Sequence, residues 1–253
     1  MGGAMLRRWI ARGVVTGSDV DVVNRSDRAL PEGVRQARDL PDGPLPDLLI
    51  LAMKPQQVDD IAARFAARLA GVGMIVSILA GVEEAALSAR FEAGAIVRAM
   101  PNLPVAIGKG VVALDSASAS APARTQVEQL MQPLCLVEWV APAQFDAVTA
   151  LAGSGPAFVY RFIDSLAAAG VAQGLPCDQA ERLALATVEG AGLLAAAADV
   201  APGALADQVA SPGGSTRKGL DVLDADTALD RLLRETIAAA TRRNAEMAAA
   251  ART

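Results

Sequence analysis

Apolar positions follow two different rhythms along this chain, and the rhythm changes near its middle. Short runs with little polar alternation lie in residues 18–26, 46–57, 73–82 and 95–102, with further ones at 110–116 and 134–140. Runs of this length and composition read as strands buried on both faces. Between the second and third of them, QVDDIAARFAARLAG (57–71) carries apolar residues at helical spacing and a glycine stop, and residues 2–12 and 125–132 also show helical patterns. Strands covered on both faces and separated by helices predict a doubly wound, parallel α/β domain over residues 1–140.

From Ala143 onward the chain reads almost entirely as Ala/Leu-rich helix, punctuated by GSGP, GLP, APG and SPGGS, so residues 141–253 are expected to form an all-α domain. The stretch LALATVEGAGLLAAAA (183–198) is apolar nearly all the way round. A solvent-facing helix does not tolerate that, which points to a dimer interface; a bundle closed within one chain is the alternative. The small-residue linker ahead of Pro122 and the last few residues are the only stretches expected to be disordered.

Composition narrows the picture. At 253 residues the chain holds two domains or one large one, and 53% hydrophobic with 3% aromatic residues suits close-packed helices better than a β-sandwich. No apolar run nears the roughly 20 residues of a membrane span, and arginines interrupt any signal-peptide core, so a soluble cytoplasmic protein without membrane partners is expected. A net charge of −5 argues against non-specific nucleic-acid binding.

Histidine is absent from the chain. That removes Ser/His/Asp and Cys/His nucleophilic machinery and the usual imidazole metal sites. Cys135 and Cys177, the two cysteines, form neither a CxxC pair nor a ligand cluster and read as small apolar residues in a reducing compartment, so no metal is expected.

What remains is phosphate and carboxylate chemistry. Gly2 and Gly3 open a helix, as a loop does where backbone must approach a phosphate, although such loops ordinarily follow a buried strand. The second strand of a doubly wound sheet commonly ends in an acid when it holds an NAD ribose. Here the first run ends in Asn24, Arg25 and Ser26 with no carboxylate, which favours NADP(H) over NAD; a solvated turn with a stray arginine is the alternative. AMKP and LAGV follow strands at the ends where such sheets bind ligands, although Lys54 there is also readable as a solvated charge. Of two glycine-rich breaks in the second half, GSGP reads as a helix cap with close packing. SPGGST has more glycine than a cap needs and reads as an anion site at a helix N-terminus.

Taken together, LAMKPQ, SILAGV, VRAMPNLPVAIGKG, DAVTALAGSGPAFVYRFIDSLAAAGVAQGLP and VASPGGSTRKGLDVL resemble, in order and over essentially the whole chain, the signatures of pyrroline-5-carboxylate reductase. The resemblance implies NAD(P)H-dependent reduction of a cyclic imine to L-proline, the last step of proline biosynthesis. It also implies a Rossmann-like first domain and a helical second domain that interlocks in a homodimer, in some members within a decamer. Carried onto this chain, the cofactor meets Gly2 at the pyrophosphate and Asn24, Arg25 and Ser26 at its adenosine end. Ala52, Met53, Lys54 and Pro55 follow along a strand exit, then Ala80, Gly81 and Asn102 towards the nicotinamide. The substrate carboxylate falls on Ser211, Gly213, Gly214, Ser215 and Thr216. Thr216 orients the ring nitrogen, and Asp199 matches a position where some relatives carry a glutamate near that nitrogen.

Departures from the family pattern set further expectations. Leu103 stands where the family usually has threonine, and EGVRQARDLPDGPLPD is poorly matched. Met1, Gly2 and Gly3 align with the end of the family's GxGxMG loop, so an apolar strand and the leading glycines are expected upstream. Without that strand the sheet is expected to be split in its middle and the first domain compromised. Two alternatives follow: a catalytically silent homologue serving as a dimerisation partner, and a related imine or 3-hydroxyacid reductase.

Overall fold

A computed structural model describes residues 1–250, with every side chain except those of Cys135 and Ala250. The final three residues, and the expectation of disorder there, lie outside the described residues. The chain divides into two units, one of residues 1–154 with the stretch from 239 onward, the other Gly155–Ala238.

In the first unit, α1 (Gly2–Ala11) turns Met5, Leu6 and Trp9 inward, and the Trp9 indole N–H donates to the Leu130 carbonyl at 2.7 Å. Two short parallel strands follow, β1 (Asp21–Val23) and β2 (Arg35–Ala37), paired from Asp21–Arg35 to Val23–Ala37. Then come β3 (Leu48–Leu51), α2 (Val58–Leu69), β4 (Val72–Ser77), α3 (Glu84–Ser88), β5 (Ala93–Pro101), β6 (Gly110–Asp115), α4 (Ala121–Met131) and β7 (Cys135–Trp139). β3 to β7 form a second sheet in sequence order. The strands therefore lie in two sheets. One apolar cluster nevertheless joins them: Val20, Val22 and Val34 pack against the same core as Leu48, Ile50, Met74, Val97 and the buried face of α1. The opposite face of the larger sheet is covered by α2 and α3, with Val72, Ile75, Ile96, Val58 and Leu87 at its centre.

The sheet is not wholly parallel. β6 runs antiparallel to β5, Arg98 lying opposite Asp115. Only eight residues, 102–109, separate the two strands, too few for the crossover that parallel pairing needs. β2 falls inside the poorly matched EGVRQARDLPDGPLPD and carries no apolar alternation, being an edge strand held partly by Arg35, whose Nε meets Asp21 at 2.6 Å. That guanidinium holds the Asp21 carboxyl below its ordinary value.

The small-residue linker is ordered, contrary to expectation. Ser116 is buried and donates to the Ile96 carbonyl at 2.6 Å, the amides of Ala117 and Ser118 donate to the Glu84 carboxylate, and Ser120 caps α4. Its serines satisfy backbone groups that an Ala/Ser composition gave no sign of pairing.

After β7, α5 (Phe145–Val148) runs directly into a π-helical turn, Thr149–Gly153. The second unit holds α6 (Gly155–Ala172), α7 (Cys177–Ala197), α8 (Pro202–Val209), α9 (Ser215–Asp224) and the first part of α10 (Ala228–Ala250). Its buried apolar cluster is small: Ala167, Ala180 and Ala184, joined by Ile163, where α6 meets α7. On α7, Leu183, Leu185, Leu193 and Leu194 stay exposed. A bundle closed within one chain is therefore not what forms.

Candidate functional site

Since β3, β4 and β5 are parallel, their carboxyl ends line one edge of the larger sheet. Ligands of such sheets bind at that edge. Ala52, Met53, Lys54 and Pro55 leave β3 there; Ala52 and Lys54 are exposed, and the Lys54 amide donates to Gln57 Oε1 at 3.2 Å. The opening glycine reaches the same place. A Cβ on Gly2 would lie 2.8 Å from the Ala52 Cβ, so α1 starts directly against the exit of β3. The first-turn amides of a helix have no intrahelical acceptor, and with the positive end of the dipole they suit an anion such as a pyrophosphate.

At the exit of β4, Ala80 and Gly81 are half-buried. Gly81 has φ +74°, and a Cβ there would come within 3.2 Å of the Met247 Cβ on α10. Asn102, beyond β5, is 6% exposed and its amide is fully engaged. Its Oδ1 accepts from the Val111 amide at 2.8 Å and its Nδ2 donates to the Ala152 carbonyl in the π-helical turn at 3.0 Å. Asn102 thus clips β6 and the π turn together, and its backbone is paired as well, the N–H donating to the Val111 carbonyl at 3.1 Å and the C=O accepting from the Val105 amide at 3.2 Å. Leu103 beside it is 55% exposed, so its replacement of threonine disturbs no packing within the unit.

Asn24, Arg25 and Ser26 form the turn after β1. The Asn24 Nδ2 donates to Gln36 Oε1 at 3.3 Å, the Arg25 carbonyl accepts from the Arg38 guanidinium, and Ser26 is exposed. Gln36, Arg38 and the Asp27 they hold went unread in the sequence, since the segment containing β2 shows no periodicity.

In the second unit, residues 211–216 make a tight turn into α9. The Gly214 amide donates to the Ser211 carbonyl at 3.0 Å, and Gly213 has φ +72°. That left-handed conformation explains a glycine at 213. Gly214 occupies the N-cap of α9 and supplies no side-chain cap, so the first amides of the helix are left open, with Ser211, Ser215 and Thr216 exposed around them. Arg217, one residue on, is tied to Asp207 of α8 at 2.7 Å, a contact that raises its pKa. Asp199 is exposed between α7 and α8, with no ion pair among the described residues. At GSGP the two glycines differ: a Cβ on Gly153 would meet Thr149 Cγ2 at 3.6 Å and Met100 Cγ at 3.7 Å, whereas one on Gly155 would meet nothing within 4 Å.

No helix among the described residues is long and apolar enough to cross a membrane. A Rossmann-like unit with glycine-flanked strand exits, followed by a helical unit, defines the class as a nicotinamide-dependent oxidoreductase. Residues 142–247 match the family model for pyrroline-5-carboxylate reductase dimerisation. The chain is 41% identical over 180 residues to the pyrroline-5-carboxylate reductase of Aquifex aeolicus, covering 70% of this chain and 67% of that one. It is 37% identical over 202 residues to the one from Synechocystis, covering 79% and 75%. Among solved structures, a pyrroline-5-carboxylate reductase from Coxiella burnetii superposes with a TM-score of 0.86 at 28% identity, over 96% of this chain and 93% of that one. The chain belongs to the pyrroline-5-carboxylate reductase family.

Proposed function

We propose that this chain reduces L-1-pyrroline-5-carboxylate to L-proline, using NADPH in preference to NADH, as a homodimer able to assemble further into a decamer. The turn at 211–216 carries the reading: an uncapped helix N-terminus ringed by hydroxyls, on a family member, suits the carboxylate of a small amino-acid precursor.

The residues present fit a dinucleotide, because α1 starts against the exit of β3, at the edge where β3, β4 and β5 end in parallel. A bound nicotinamide supplies hydride from C4. The protein's own residues orient and hold. Gly2 and the start of α1 face the pyrophosphate, and residues 52–55, Ala80, Gly81 and Asn102 line the path to the nicotinamide. Ser211, Gly213, Gly214, Ser215 and Thr216 take the substrate carboxylate through backbone N–H and hydroxyl donors. A protonated imine is already a hydride acceptor, so positioning accounts for most of the work and no histidine is needed. The Thr216 hydroxyl, too weak an acid to drive the step, aligns the ring nitrogen, and the Asp199 carboxylate favours its protonated form. Asn24, Arg25 and Ser26 receive the adenosine end and its 2′-phosphate.

Initial rates with pyrroline-5-carboxylate, with 1-pyrroline, which lacks the carboxylate, and in the oxidising direction with 3-hydroxyacids test this assignment. The carboxylated imine is expected to give the highest kcat/KM, and a clear preference for another substrate would overturn it.

A further inference from the structure

We propose that Arg38 is a specificity-determining residue for the cofactor, because it occupies the one carboxylate of the turn that receives the 2′-phosphate. This rests on the reading of NADPH as the cofactor. The turn after β1 reads Asn24-Arg25-Ser26-Asp27-Arg28, so an acid does stand in it, one residue past the Asn-Arg-Ser segment. An unengaged carboxylate at that place in a dinucleotide fold takes a ribose hydroxyl and repels a 2′-phosphate. Here Asp27 is engaged. Its Oδ1 meets the Arg38 Nη2 at 3.1 Å and accepts from Gln36 Nε2 at 3.3 Å. Arg38, directly after β2, also donates through Nη1 to the Arg25 carbonyl, so a single guanidinium ties both the acid and the backbone of the turn. Gln36 completes the frame: its Oε1 accepts from Asn24 Nδ2 and from the Arg28 amide at 3.1 Å.

The result is a turn whose negative charge is paired from the neighbouring strand, while Arg25 and Arg28 are exposed and make no ion pair among the described residues. Two cations are thus left to meet a dianionic phosphate. Removing Arg38 would free the Asp27 carboxylate within a few ångströms of that phosphate. Through solvent, a single charge so placed against a phosphate shifts affinity by about tenfold. NADH, which has a hydroxyl at that position, has nothing to lose.

Steady-state kcat/KM for NADPH and for NADH, measured on the full chain and on R38A, D27N and D27N/R38A, tests the proposal. The unsubstituted chain should prefer NADPH. R38A should lower the NADPH:NADH ratio by about tenfold, mainly through the KM for NADPH, with no loss for NADH. D27N should keep the preference, and D27N/R38A should regain most of what R38A lost. A double variant as poor as R38A would mean that Arg38 acts through the phosphate itself or the Arg25 backbone and overturn the masking role, as would an unchanged ratio in R38A or an equal loss with both cofactors. An unsubstituted chain indifferent to the 2′-phosphate would instead overturn the NADPH reading itself, a result distinguishable before any variant is made.

Discussion

At the scale of single residues, the side chains that organise the α/β unit are buried polar groups with complete partners. Arg98 and Asp115 face each other across β5 and β6 at 3.3 Å, both under a tenth exposed, and the Arg98 guanidinium also lies 3.9 Å from the Phe145 ring centroid. Burial raises the Asp115 pKa, and the attraction of Arg98 only partly opposes that. The native state therefore keeps this proton to higher pH than the unfolded chain does. Its contribution to stability is whole below the ordinary carboxylate value and is lost as pH rises through the raised one. Denaturant unfolding of the protein and of D115N across the mildly acidic range should show the stability gap between them moving in favour of D115N as pH rises; a gap that is flat or moves the other way would contradict this. Asn102 illustrates what a residue name does and does not disclose. MPN was legible only through the family resemblance of VRAMPNLPVAIGKG, and the commitment of its amide to Val111 and Ala152 depends on segments 9 and 50 residues away.

Elements were legible where apolar runs are long and illegible where partners do the stabilising. β3, β4 and β5 stood out because burial on both faces leaves continuous apolar runs, and α2 through its helical spacing, whereas the short α3 went unread. β2 did not, since Arg35, Gln36 and Ala37 gain their structure from cross-strand pairing with β1 and from ion pairs. The ordered 116–120 segment was hidden for a like reason, its amides being held by Glu84 from α3. The turn into α9 was legible through its glycines. G213A places a side chain at φ +72°, a cost of about 1–2 kcal/mol if the turn holds its shape. If the turn binds the substrate carboxylate, G213A should raise the KM for pyrroline-5-carboxylate while leaving that for NADPH unchanged. Equal effects on both would argue that the turn has no special tie to the substrate.

For the whole molecule, the imbalance between the units is the main fact. The α/β unit has two large apolar clusters, whereas the helical unit has one small cluster built on three buried alanines and leaves a run of leucines in the open. Exposed apolar area on that scale marks an association surface, and the match of residues 142–247 to a dimerisation family model agrees. Glutamate at both Leu193 and Leu194, which are 55% and 63% exposed, should shift the protein towards monomer in sedimentation velocity if α7 lies in the interface; an unchanged sedimentation profile would place the interface elsewhere. The central claim, hydride delivery to the imine carbon of pyrroline-5-carboxylate, has a direct measurement. With NADPH carrying deuterium at both C4 positions, each proline formed should hold one deuterium on the former imine carbon, in step with each NADPH oxidised. Proline without the label, or cofactor oxidation without proline, would contradict it.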